Sequence, residues 1–325
     1  MNRFILVVLL LIAPGCVSTR SGSPLPRRGD EIMVCGQLFH TGAPVILWTD
    51  PGGYDAYRVE RRFVPLDKAD WKSSSPPLET PNRYSMRKVK LTPEEIEQVR
   101  GGGWDLPLLQ KHVDQFVLHY DVCGTSRTCF RVLQDQRGLS VHFMLDIDGT
   151  IYQTLDVKER AWHATVCNDR SVGIEIANIG AYPVAKSETL DKWYGKDETG
   201  RTRITLPSYL ADGGVRTPGF VGYPARQEPI DGTVQGEKLR MYDLTPQQYV
   251  SLTKLAAALC TVLPQITCDY PRDEQGNLVT HKLSDDQLKA YHGILGHYHI
   301  QTNKTDPGPA LQWDRLIEGA RREMR

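Results

Sequence analysis

The sequence predicts an α/β domain with a central mixed sheet flanked by helices. Apolar runs at 116–119, 141–147, 150–155 and 171–177 read as strands. Around residues 92 and 245, helix-start residues precede apolar residues at helical spacing. Strand and helix signals mix along the chain rather than falling into separate blocks. At 325 residues there is room for one large domain or two modest ones. The 39 basic and 39 acidic side chains cancel, so the basic excess of a nucleic-acid binder is missing and no nucleic-acid partner is expected. A monomer is expected.

The N-terminus reads as an address. Met1–Arg3 supplies positive charge, and the apolar run from Phe4 to Ala13 is too short to span a bilayer. Ala13, Pro14 and Gly15 directly before Cys16 resemble a bacterial lipobox, so residues 1–16 are expected to be a lipoprotein signal with Cys16 as the lipidated residue. An ordinary secretory signal is the alternative, and either exports the chain. The expected location is the periplasmic face of the outer membrane, reached through a lipid anchor. Residues 17–29, with Ser, Pro and Gly, read as a flexible tether.

Export bears on the cysteines. Beyond Cys16 there are six, an even number in an oxidising compartment. Cys123 with Cys129 and Cys260 with Cys268 are the local pairings, leaving Cys35 with Cys167 among the roughly fifteen possible connectivities. Buried free thiols are the alternative, above all for Cys260 on an apolar helix face.

Taken in order, 32–39 and 44–48 read as short strands, with a turn at Asp50–Gly53. Residues 73–81 read as a linker, so 30–85 is an N-terminal extension and 86–325 the main domain, with a soft boundary near 82. Thr92 caps a helix, with Pro93 in its first turn and Glu95 completing a capping box; Gly101–Gly103 ends it. Phe116–His119 is a buried strand with Val117, His119 and Asp121 on one face. Residues 141–155 form a hairpin turning at Asp148-Gly149. Glu175 interrupts the apolar strand 171–177. Residues 182–239, rich in Gly, Pro and charge, read as an insertion over or beside a functional site. Thr245 and Gln248 open the helix 249–263, and Ser284 opens another over 285–295, leading into Gly296 and His297.

His119 on a buried strand is by itself more often structural than a ligand. Near the C-terminus, however, His297 precedes an irregular loop bearing Lys304 and Asp306. Two histidines and an aspartate can close three sides of a tetrahedral zinc and leave the fourth for water, as a catalytic site requires.

Several blocks carry a resemblance: 117–120, 140–143 with Asp148-Gly149, 160–164, 167–175, Gly296-His297 and 304–309. Together they resemble the type 2 N-acetylmuramoyl-L-alanine amidases, the superfamily of peptidoglycan recognition proteins and phage lysozyme-like amidases. The resemblance spans about residues 86–320 in order and is nearest the branch that handles 1,6-anhydromuropeptides. It implies a zinc amidase fold and Zn2+ on His119, His297 and Asp306, with Glu175 and Lys304 as catalytic groups. It further implies hydrolysis of the amide between N-acetylmuramic acid, or its 1,6-anhydro form, and L-alanine in peptidoglycan or muropeptides. Glu175 is suited to move the proton and Lys304 to steady the oxyanion. His299 rivals His297 as ligand, because the loop to Lys304 is one residue shorter than in the nearest relatives; His297 is preferred because it follows the matching glycine. The Cys123–Cys129 spacing is similar to a disulfide of the peptidoglycan recognition proteins. Trp162 and His163 are candidates for substrate contact, with core packing as the alternative; Asn168 is a further candidate. His142 is expected to be structural. The competing function is a non-catalytic peptidoglycan-binding receptor. A zinc peptidase lacks support, since no His-Glu-x-x-His helix is present.

Overall fold

The computed structural model describes residues 21–325 other than 24, 74–76, 78–82 and 102. Cys16, the signal and most of the expected linker at 73–81 lie outside the described residues. No described helix is long and apolar enough to cross a membrane.

Six short apolar segments form the central sheet: β1 (Val45–Leu47), β2 (Gln115–Tyr120), β3 (Phe143–Leu145), β4 (Ile151–Gln153), β5 (Ser171–Ile176) and β6 (Gly293–Gly296). They are ordered β6-β2-β5-β3-β4-β1. The first four run parallel, β4 returns antiparallel to β3 through the turn at Gly149 (φ 85°), and β1 runs parallel to β4. The mixed sheet expected from the sequence is thus present.

Alternation along the strands decides what each face does. Phe116 and Leu118 of β2, with Val172, Ile174 and Ile176 of β5, point into the main apolar core. There they meet α4 (Pro246–Val262) and α6 (Trp313–Glu323) through Leu252, Leu255, Leu259, Leu316 and Ile317. Burial of each such side chain contributes about 1.5–3 kcal/mol. Their neighbours point the other way, and His119 of β2 stands in register beside Glu175 of β5 on that second face. The helix starts form as the sequence indicates. Thr92 opens α1 (Pro93–Arg100) and Thr245 opens α4, each with a complete capping box. A cap of this kind is worth about 1 kcal/mol.

Some expectations change. The helix expected over 285–295 stops at Ala290, as α5 (Asp285–Ala290), and residues 293–296 become the edge strand β6. The chain leaves the helix at Tyr291, already extended at φ −82° and ψ 129°, and at Gly293 (φ 155°) a Cβ would meet the carbonyl oxygens of Thr267 and Asp269. Beyond it Ile294 and Leu295 pair with β2. The N-terminal extension is continuous with the main core. Val45–Leu47 is a strand of the central sheet, Ile32 and Val34 sit in its core, and Tyr54 stacks against Tyr152 and Phe130. The 182–239 segment is folded, with a hairpin at 194–204 and another at 230–241. Cys35 and Cys167 do not pair: all six described cysteines are free thiols, and these two sit in separate apolar clusters. The Cys129 thiol does lie beside Cys123, and the Cys260 thiol beside Cys268.

Asp146, at the end of β3, is fully buried. One of its oxygens accepts from the Ile147 amide at 2.9 Å, and the other has no partner among the described residues. Burial pushes its carboxyl up to about 8. Between about pH 4 and 8 the unfolded chain has lost this proton and the folded chain keeps it, so stability from this group falls as pH rises through the window. Asp146→Asn should flatten thermal stability across that range and raise the pH 8 melting temperature by about 2–4 °C or more. Parallel melting curves for both proteins with pH would contradict this.

Candidate active site

Three elements converge on the second face of the sheet. β2 brings His119; the segment after β6 brings His297 and then Asp306. The His119 and His297 Nδ1 atoms lie 3.0 Å apart, and Asp306 Oδ2 lies 2.8 Å from the first and 2.9 Å from the second. All three residues are buried. Ligand atoms about 2.0–2.1 Å from a tetrahedral ion lie roughly 3.3 Å from one another, so a small outward movement fits this trio to a metal. These residues form one of two candidate metal clusters among the described residues. The other, Asp30, Glu31 and His40, is half exposed, and Glu31 is occupied by the amides of Arg28 and Gly29.

The outer nitrogens are held as well. Gln301 Oε1 lies 2.7 Å from His297 Nε2, and a carbonyl oxygen only accepts. His297 Nε2 therefore carries the hydrogen, and its Nδ1 turns a lone pair to the centre. His119 Nε2 lies 3.0 Å from His163 Nδ1, and His163 Nε2 lies 3.2 Å from Ser171 Oγ. An N–H donated outward along this chain leaves His119 Nδ1 free in the same way. Such partners orient metal-binding imidazoles. His163, a candidate for substrate contact, thus stands directly behind His119. Burial, together with the neighbouring histidines, holds it well below the usual imidazole range. Burial and His297 likewise hold His119 down at about 4. Burial favours a protonated Asp306, but the neighbouring His119 and His297 outweigh it and hold the carboxyl below its ordinary range.

Glu175 and Lys304 line the same cleft of about 160 Å³ as the trio. Burial, then Asp306 and Asp121, hold the half-buried Glu175 carboxyl well above its ordinary range, with Lys304 opposing. A carboxyl held up in the same cleft as an ammonium pairs a proton acceptor with an oxyanion partner. The rival His299 is placed elsewhere: its Nδ1 accepts from the Gly296 amide at 2.8 Å and its Nε2 donates to the Val279 carbonyl at 2.6 Å. His142 is structural as expected, accepting from Gly173 N and donating to Glu159 O.

An adjoining hollow of about 470 Å³ shares Trp162, His163 and Lys304 with the cleft and adds Arg160, Asn168 and Asn303. The Arg160 guanidinium lies 4.9 Å from the Trp162 ring, and the indole N–H has no partner among the described residues. Asn168 accepts from the His163 and Ala164 amides, so its oxygen shapes its own loop. Sequence reasoning missed Gln301, Arg137 at the cleft wall, and Gly173. Gly173 carried a signal: a glycine inside a strand marks a close approach. A Cβ there would lie 2.5 Å from the His163 ring. Gly173→Ala should therefore push His163 off His119 and, like His163→Phe, weaken metal binding about 10- to 100-fold with the fold retained. Chelator competition followed by far-UV circular dichroism checks both; wild-type affinity in a folded His163→Phe protein would refute the role.

The sequence model of the N-acetylmuramoyl-L-alanine amidases matches residues 109–309, more than half of the chain. None of the curated proteins matches significantly. Among solved structures, a selenomethionine derivative of AmpD is 19% identical, covering 82% of this chain and 98% of its own, with a TM-score of 0.33. AmiD from E. coli, solved with anhydro-N-acetylmuramic acid-L-Ala-D-gamma-Glu-L-Lys, is 17% identical over 64% of this chain and 57% of its own, with a TM-score of 0.36. The endolysin LysCS from Clostridium intestinale URNW is 15% identical over 65% and 84%, with a TM-score of 0.33. On the family match, the chain belongs to the N-acetylmuramoyl-L-alanine amidase family.

Proposed function

We propose that the protein hydrolyses the amide between the lactyl group of N-acetylmuramic acid, or its 1,6-anhydro form, and L-alanine, with a zinc ion held by His119, His297 and Asp306. The observation that carries this is the convergence of two Nδ1 atoms and one carboxylate oxygen on one point of a cleft that also holds Glu175 and Lys304. Two imidazoles and one carboxylate suit zinc, and three protein ligands leave a position open. Zinc in such a site lowers the pKa of water and polarises a carbonyl.

The chain's own groups do the rest. Glu175 takes a proton from the attacking water and returns it to the departing alanine nitrogen. Its raised carboxyl suits both halves of that cycle, since a very acidic group would not hold the proton. The Lys304 ammonium donates to the carbonyl oxygen as charge builds there. Arg137, Arg160 and Asn303 along the wider hollow suit a ligand bearing sugar hydroxyls and peptide carboxylates, and Trp162 offers it a ring face. A receptor that only binds peptidoglycan would need neither Glu175 nor Lys304 beside the ligand trio.

Digestion of a defined muropeptide, followed by mass spectrometry, should release the intact peptide with a free alanine amine. His297→Ala should lose both zinc and turnover. Glu175→Gln should keep zinc and lose about 100- to 10,000-fold in rate; Lys304→Met should keep zinc and lose about 100- to 1,000-fold. Zinc by elemental analysis and turnover are read on the same preparations. A zinc-replete Glu175→Gln protein with wild-type turnover would remove Glu175 as the base.

We place the protein on the membrane through Cys16, on the support of the sequence before it. We also propose a Cys123–Cys129 disulfide, supported by the contact between the two thiols and worth about 2–3 kcal/mol. Membrane-fraction protein should carry labelled palmitate and yield a linked Cys123–Cys129 peptide on non-reducing digestion. Soluble, palmitate-free protein would end the anchor, and two free thiols the disulfide.

A further inference from the structure

The 182–239 insertion has no part in the chemistry derived above, yet its last hairpin reaches the loop that carries most of the site. Strands Ile230–Val234 and Glu237–Met241 are joined by Gln235 and Gly236 alone, at φ 54° and 79°. Two consecutive positive φ values match the right-handed twist of a hairpin, and Asn, Asp or Gly usually fills the first position. Gln at φ 54° is a strained choice, and strain of this kind marks a residue kept for what its side chain does.

That side chain reaches the segment between His297 and Asp306. Gln235 Nε2 lies 2.8 Å from the Tyr298 carbonyl oxygen, 2.9 Å from that of Gln301 and 3.4 Å from that of Lys304. Its Oε1 accepts from the Lys282 amide at 3.2 Å, and its backbone N–H donates to Thr280 O at 2.8 Å. The same hairpin packs on the far end of the loop, where a Cβ on Gly232 would lie 2.7 Å from Pro309. The segment contains only one short helical turn, His297–His299, so few of its carbonyls have partners within it.

We propose that Gln235 is a positioning residue of the active site: its two amide N–H groups hold the Tyr298 and Gln301 carbonyls, with the Lys304 carbonyl sharing one of them at 3.4 Å, and so keep His297, Lys304 and Asp306 in one arrangement. The role rests on reading that trio as the metal site. One amide group contacts the backbone of Gln301, whose side chain orients His297, and that of Lys304. The insertion thereby acts as a brace on the ligand loop.

The test compares zinc-loaded wild type with Gln235→Ala and with Gln235→Met, which keeps side-chain volume but cannot donate. In both variants amide exchange over 298–306 should rise about tenfold or more while β2 and β5 stay protected. Zinc affinity by chelator competition should fall about 10- to 100-fold, and kcat should fall more than KM changes, as when a group is misplaced for the transition state. Wild-type exchange over 298–306 in the variants overturns the proposal. Exchange rising equally across β2 and β5, or a variant that does not fold, also overturns it, because Gln235 would then stabilise the whole fold. A wild type that binds no zinc removes the metal reading instead, and loop exchange still reports on the brace.

Discussion

The structure depends on one crowded point, where Asp306 Oδ2 meets the Nδ1 atoms of His119 and His297. These residues lie 178 and 187 positions apart in pairs with His119. Bringing a buried carboxylate against two imidazole lone pairs is unfavourable unless a cation or a shared proton sits among them. The fold therefore has to force the encounter. It does so with a strand paired on both sides and a loop tied down by several hydrogen bonds.

The sheet contributes by alternation. One face of β2 and β5 is committed to the core under α4 and α6, which leaves the opposite positions for chemistry. Because paired residues of adjacent parallel strands face the same way, His119 and Glu175 are neighbours by register alone. Gly173, two residues before Glu175, yields the space that His163 needs to stand behind His119. The ligand nitrogens are thus set by side chains whose own positions are set by backbone. On the loop side the arrangement is less regular, and side-chain amides do the work: Gln301 fixes a ring, and Gln235 gathers carbonyls.

Much of this was legible in the sequence, and the reasons differ by residue. His119 and Glu175 stood out because a polar residue inside an apolar strand has to be accounted for. Lys304 and Asp306 stood out through the motif at 304–309. The helix starts at Thr92 and Thr245 were legible because capping is local chemistry. The strand at 293–296 was not, since a short apolar run directly after a helix fits either period. The strand at 44–48 was read, but the extension's share of the central sheet was hidden because its pairing with Ile151–Gln153 is a long-range contact that leaves no pattern along the chain. Gln235, Gln301 and the acceptor role of His163 act only through contacts made in space, and no pattern along the chain announces them.

Anomalous scattering at the zinc edge from a crystal of the zinc-loaded protein tests the central claim most directly. One peak should appear about 2.0–2.1 Å from His119 Nδ1, His297 Nδ1 and an Asp306 oxygen, with His163 and His299 uncoordinated. A peak bound through either Nε2 atom, one that recruits His299, or none at this point would contradict the account.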